Sequence, residues 1–311
     1  MTMRLLPLIC LLPLLVTAKQ LSFTHQGEEV RVRWEQGKEA KSLSYQLAPG
    51  KIPPLIAFPP ERFRREILQG LLQQGQSQFP TVAFRLGRDG ELNLSARRQE
   101  SVNQAMEWLN KRRPELEQAW LSRYYFQTFT DPAGAEAVKQ DHVRIAMESR
   151  EELAPLASQL KQEGGDEMAA RRKSAEAVLA FVQAIPYALL DNSGVRGGRG
   201  FLSPRQVLLQ NRGDCDSKVT LMAALLGQIH PEMRQLMIFT PDHALLGLAL
   251  PASAGEQKLE WEGENYLLME PTGPAELPIG QLARTSQVMV ESGQFRAQPV
   301  QATVRNSTAS R

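Results

Sequence analysis

The chain has 311 residues, 42% of them hydrophobic, enough to fill the core of one large or two modest domains. Its 36 Lys and Arg stand against 34 Asp and Glu, for a net charge of +2. That balance excludes the basic footprint of a nucleic-acid or anionic-lipid binder. The sequence contains neither an internal repeat nor a low-complexity block.

The first segment, "MTMRLLPLICLLPLLVTAKQ", has the layout of a signal peptide. Arg4 supplies a basic start, Leu5 to Val16 an apolar run, and Ala18 a small residue at the cleavage point. The run is shorter than the roughly 20 apolar residues of a membrane-spanning helix. Residues 1–18 are therefore expected to be a leader and the protein to be exported, periplasmic or secreted. Membrane contact would come only through an uncleaved leader. Removing it removes Cys10 and leaves Cys215 as the single cysteine in an oxidising compartment. Disulfides then play no part in the fold, and the odd thiol is either reactive, paired between molecules, or buried and inert.

Beyond the leader, "LSFTHQGEEVRVRWEQG" predicts two strands around a glycine turn, with Val30, Val32 and Trp34 alternating against Arg31 and Arg33. A Pro-rich stretch follows, then a helix over 61–73 and a hairpin in "TVAFRLGRDGELNLSA" turning at Arg-Asp-Gly. Helical spacing holds over 99–125, with Pro114 expected to start a second helix. "TDPAGAEAVKQDH" reads as a loop leading into another helix, and "EGGDE" at 163–167 as a linker.

A helix over 168–184 comes next, then the Gly/Arg loop "DNSGVRGGRGF". A short helix is capped by Ser203, with Pro204 at its first position. Asp214 caps a helix over 215–226. Strands are expected in "QLMIFT", "HALLGLAL", "KLEWEG" and "YLLMEP", and a polar, frayed tail after Gln294. The predicted organisation is a leader at 1–18, an α+β region of open role at 19–164, a second domain at 165–292, and a tail at 293–311.

Chemistry concentrates in the second domain. Cys215 falls in the first turn of a helix, where the dipole and unsatisfied N–H groups favour an anion, so a lowered thiol pKa is expected. The same N–H groups, that of Cys215 included, could hold an oxyanion, and Gly213 would admit a substrate backbone. His243 opens one predicted strand and Glu270 ends another. Antiparallel pairing would set them side by side, imidazole as base and carboxylate as orienter. Gln206, Asp214 and Tyr187 lie on the substrate side as oxyanion or structural residues. His25, His142 and His230 have no partner spacing and read as surface or capping histidines. No metal-ligand cluster or cofactor motif is present.

In order, "GDCDSKVTLMAALL", "DHALLGLAL" and "YLLMEPTGP" resemble the three core motifs of the transglutaminase-like superfamily. "AEAVLAFVQAIPYAL" and "FLSPRQVLLQNRGDC" resemble the helix and lead-in before the family's cysteine. Two positions depart from the pattern: Glu270 stands where the family has Asp, and Leu245 where many members carry an aromatic. The resemblance implies an α+β, papain-like core with a helix-borne cysteine on an antiparallel sheet, behind a smaller mixed α/β N-terminal region. It implies acyl transfer at an amide by Cys215, His243 and Glu270, without a cofactor. A protein or peptide is the expected substrate, and nucleic acid is not a partner. Hydrolysis by a peptidase or amidase leads; crosslinking to an amine, or an idle module that binds a peptide, are the alternatives.

Overall fold

The computed structural model describes residues 19–87, 90–130, 134–190 and 200–300. The expected leader at 1–18 lies outside them, as do the tip of the Arg-Asp-Gly turn and most of the Gly/Arg loop. The fold is α+β, with helices and antiparallel sheets.

It begins with a three-stranded meander, β1 (Lys19–Gln26), β2 (Glu29–Gln36) and β3 (Glu39–Gln46). Gly27 and Gly37 sit at φ 58° and 60° in two-residue connections, a conformation that favours glycine. The alternation around Val30 is real: Val30, Val32 and Trp34 are buried and their neighbours point outward. The expectation of two strands falls short by one, because β3 carries little apolar signal beyond Leu43 and Tyr45.

A second unit follows. It contains α1 (Pro60–Gln78), the hairpin β4 (Ala83–Leu86) and β5 (Leu92–Ser95), and α2 (Gln99–Arg123). Its own core gathers Ile67, Leu71, Phe84, Leu109, Trp120 and Phe126. Pro114 does not start a new helix; it lies inside continuous α2. The residue is exposed, so water can meet the carbonyl that loses its donor, and burial of Ala105, Leu109, Trp120 and Leu121 holds both halves in line. The expected loop after it is a hairpin, β6 (Phe126–Thr130) with β7 (Glu136–Gln140), leading into α3 (His142–Glu148).

The remaining elements are a 3-10 turn (Glu151–Leu153), α4 (Ala154–Leu160), α5 (Glu167–Ala184), α6 (Pro204–Gln210) and α7 (Cys215–Ile229). After them come β8 (Gln235–Phe239), β9 (Ala244–Leu248), β10 (Lys258–Trp261), β11 (Glu264–Met269), α8 (Arg284–Glu291) and β12 (Arg296–Pro299). The last five strands form one antiparallel sheet in the order β10-β11-β9-β8-β12. The segment read as a frayed tail thus supplies an edge strand, and α8 was not foreseen.

Helix α7 is apolar on nearly every side and buried accordingly. One sheet face packs against it through Met237, Phe239, Leu246, Leu267 and Met269. The other face, with Leu236, Ile238, Leu245 and Leu268, is covered by Leu282, Val290 and Phe295. The main core also takes in Val30, Val32 and Trp34 of β2, with Trp34 edge-on to Phe181 at 5.6 Å. Residues on both sides of the 163–167 linker therefore share one apolar interior. Among the described residues, no helix is long and apolar enough to cross a membrane.

Candidate active site

Asp214 caps α7 by accepting the Ser217 N–H at 2.9 Å, which fixes Cys215 as the first helical residue. Gly213 is held from both sides, its N–H on Pro186 O at 3.2 Å and its carbonyl on Ala188 N at 3.1 Å. A Cβ there would lie 3.2 Å from Lys218 Cγ, so the glycine serves chain packing. Tyr187 forms a parallel bridge with Gly213. Asp214 and Tyr187 thus both support the cysteine turn.

The thiol departs from expectation. Cys215 is 7% exposed, and its Sγ hydrogen bonds to Asp216 Oδ1 at 3.5 Å rather than to His243. Burial, followed by the negative charges of Asp216 and Asp214, pushes the thiol well above its ordinary range. A lowered pKa was read from the helix terminus alone. Desolvation and two flanking carboxylates oppose that effect, and the resting side chain is a protonated thiol.

The imidazole–carboxylate pair forms as the strand order predicts. Leu248 pairs with Leu267 and Leu246 with Met269, which carries the start of β9 toward the end of β11. His243 Nε2 and Glu270 Oε1 lie 2.7 Å apart. The Ala283 N–H, just before α8, donates to Glu270 Oε2 at 2.9 Å. Burial raises the Glu270 pKa, but the His243 hydrogen bond and charge, the Ala283 N–H and the Ser286 side chain outweigh it. The carboxyl is held below its usual range and stays ionised. With Nε2 engaged by the carboxylate, Nδ1 is the imidazole nitrogen left to exchange a proton with another group.

Two buried polar residues tie these parts together, and both stand out in sequence as polar residues within apolar helices. Gln183 of α5 donates to Glu270 O and Leu277 O, each at 2.9 Å. Lys218 of α7, with no exposure, donates to Ile185 O at 2.6 Å and to Thr272 O. Burial pushes its pKa down to about 7. It spans from the cysteine helix to the loop just beyond Glu270.

A cleft of about 770 Å³ opens beside the pair, lined by His243, Asp216, Gln206, Phe201, Phe239 and His142 among others. Gln206 closes a capping box on α6, its Oε1 accepting the Ser203 N–H at 2.9 Å. The amide nitrogen is then the donor end of that side chain. His142, read as a surface or capping residue, is instead 3% exposed between the Phe201 and Phe239 rings. Among the described residues, no group of three His, Cys, Asp or Glu side chains is placed to hold a metal ion.

No protein-family model and no curated protein matches the chain. Among solved structures, Legionella pneumophila LapG (EGTA-treated) is similar over 50% of this chain and 77% of its own, at 14% identity. The TM-score is 0.29.

Proposed function

We propose that the chain is an exported cysteine hydrolase of the transglutaminase-like, papain-like kind, a peptidase or amidase that cleaves a peptide or protein amide. The observation that carries the reading is the 2.7 Å contact between His243 Nε2 and an ionised, doubly held Glu270, with His243 lining the same cleft as Asp216, the residue after Cys215. Substrate entry rotates the thiol from Asp216 toward His243 Nδ1. That nitrogen takes the thiol proton as Sγ bonds to the amide carbon, and Glu270 stabilises the imidazolium. The Cys215 N–H, with the Gln206 amide, receives the oxyanion. Collapse breaks the C–N bond, and the leaving amine takes the proton from His243. Water, deprotonated by the same nitrogen, then releases the acid and restores the thiol. Replacing that water with an amine would make the reaction a crosslink. Residues 165–292 supply the catalytic groups.

The protonated, buried thiol favours a second reading, in which the cleft binds a peptide and the thiol is idle. The two separate on covalent capture. Peptide aldehydes or vinyl sulfones that label Cys215 in the wild type, and not in His243→Ala, support the hydrolase. Peptide binding that persists in Cys215→Ala, with no labelling of the wild type, supports the module.

A further inference from the structure

The 770 Å³ cleft has an electrostatic character that the catalytic groups do not explain. Three cations stand in its lining: Arg212, which donates to Gln210 Oε1 beside it, together with Lys139 of β7 and Arg296 of β12. Lys139 Nζ lies 3.7 Å from the centre of the Phe239 ring and donates to Gln298 Oε1 at 2.9 Å. The Arg296 guanidinium lies 4.1 Å from the centre of the Phe129 ring and donates to Thr130 O. Both rest on aromatic faces and neutral oxygens.

Among the described residues, neither Lys139 nor Arg296 has a carboxylate within ion-pair distance. Two other part-buried cations do meet carboxylates: Arg172 pairs with Glu176 and Glu256, and Arg205 with Glu28 and Glu152. Lys139 and Arg296 are also close enough to repel each other. Burial, with a smaller push from the Arg296 charge, brings Lys139 down to about 8 against the attraction of Asp216, which lines the same cleft, and of Asp141. Two half-buried like charges beside an open cleft are costly unless an anion joins them.

Two further features describe that anion. His142 is neutral at pH 7, burial having pushed it down to about 4, and its buried Nδ1 has no hydrogen-bond partner. It lines the same cleft, as do Phe58, Phe126 and Phe201. The anion therefore arrives on a partly apolar carrier and brings hydrogen-bonding oxygens. A carboxylate on a peptide fits this description; the cations would grip it and the rings would cover its neighbours.

We propose that the cleft selects peptides by a carboxylate seated between Lys139 and Arg296, next to an aromatic or large aliphatic residue. This rests on the reading of the cleft as the substrate site, and it names the substrate class of that site. The N-terminal half thereby acquires a task, since Lys139 and the Phe126–Thr130 strand bring specificity to groups held by the C-terminal half.

The test uses the full chain carrying Cys215→Ala and fluorescein-labelled octapeptides that are Phe-containing and identical but for one Glu or Gln. Each is made with an amidated and with a free C-terminus. Binding is read by anisotropy. The Glu peptide, amidated, is expected to bind at least about tenfold more tightly than its Gln partner. If the free-terminus Gln peptide gains the same advantage over its amidated form, the carboxylate bound is the terminal one. Lys139→Met and Arg296→Met should each erase the preference, and Lys139→Arg should keep it. Equal binding of all four peptides, including equal failure to bind, overturns the proposal, as does a preference that survives both Met variants. Wild-type cleavage of the same peptides is scored separately. Selective binding without cleavage leaves the anion seat standing and removes the hydrolase; cleavage without Glu/Gln selectivity does the reverse.

Discussion

Cys215 and Asp216 share the first turn of α7, and the second residue governs the first. A carboxylate that accepts the thiol hydrogen bond and adds negative charge disfavours the thiolate. Asp216→Asn keeps the shape and removes the charge, so the thiol pKa should fall. Iodoacetamide should then alkylate Cys215 faster at pH 7 in the variant than in the wild type. An unchanged rate would mean that burial alone sets the thiol. Lys218 supplies a second prediction. Its pKa is about 7 in the fold against 10.5 in an exposed lysine, so between those values the unfolded chain holds a proton that the folded chain lacks. Unfolding free energy from this group therefore rises with pH across that window and is lost as pH falls through the folded value. Urea midpoints measured at both ends should climb less in Lys218→Met than in the wild type. The sequence showed Cys215, His243 and Glu270 because each sits at the edge of a strong local pattern. Asp216 as the thiol's partner was hidden, since nothing in one dimension says which way a thiol turns.

At the scale of elements, the cysteine turn depends on its cap. Asp214→Ala should cost about 1 kcal/mol, a typical loss for an N-cap, read as a lower denaturation midpoint with an unchanged slope. Because the cap also sets the start of α7, the same variant should loosen the Cys215 N–H and raise its hydrogen exchange. The caps of α6 and α7 were legible since Ser203-Pro204 and Asp214 precede clear apolar periods. Pro114 misled because local stereochemistry says a helix starts there, while packing on both sides carries α2 through. Strand β12 was missed for the opposite reason. "RAQP" has no apolar alternation, and it becomes a strand only because β8 offers a free edge to pair with.

At the scale of the whole molecule, three apolar clusters and one bridging hairpin among the described residues decide what moves together. The main core runs from Val30 of β2 to Val300 beyond β12, so the meander and the cysteine helix should unfold in one transition. Trp34→Ala removes a buried ring that meets Phe181 and should cost about 3–5 kcal/mol. Exchange protection of α7 amides should drop along with it; protection that stays at the wild-type level would mean the meander folds apart from the half that carries α7. The β6–β7 hairpin is clasped to β12 by the reciprocal Gln127–Gln298 bonds and by Lys139 on Gln298. That long-range contact assembles the cleft from distant stretches of chain, which is why the approach of His243 to Glu270 was legible in sequence and the meeting of Lys139 with Arg296 was not.

If Cys215, His243 and Glu270 act as one unit, acylation of the thiol must depend on all three. A peptide thioester would be incubated with the wild type, His243→Ala and Glu270→Gln, and the acyl-Cys215 adduct followed by intact mass. The adduct should form in the wild type and be slowed by about 100-fold or more without the imidazole, as expected for loss of a general base. Glu270→Gln should slow it by a smaller factor. Equal rates in all three proteins, or no adduct in any, would contradict it.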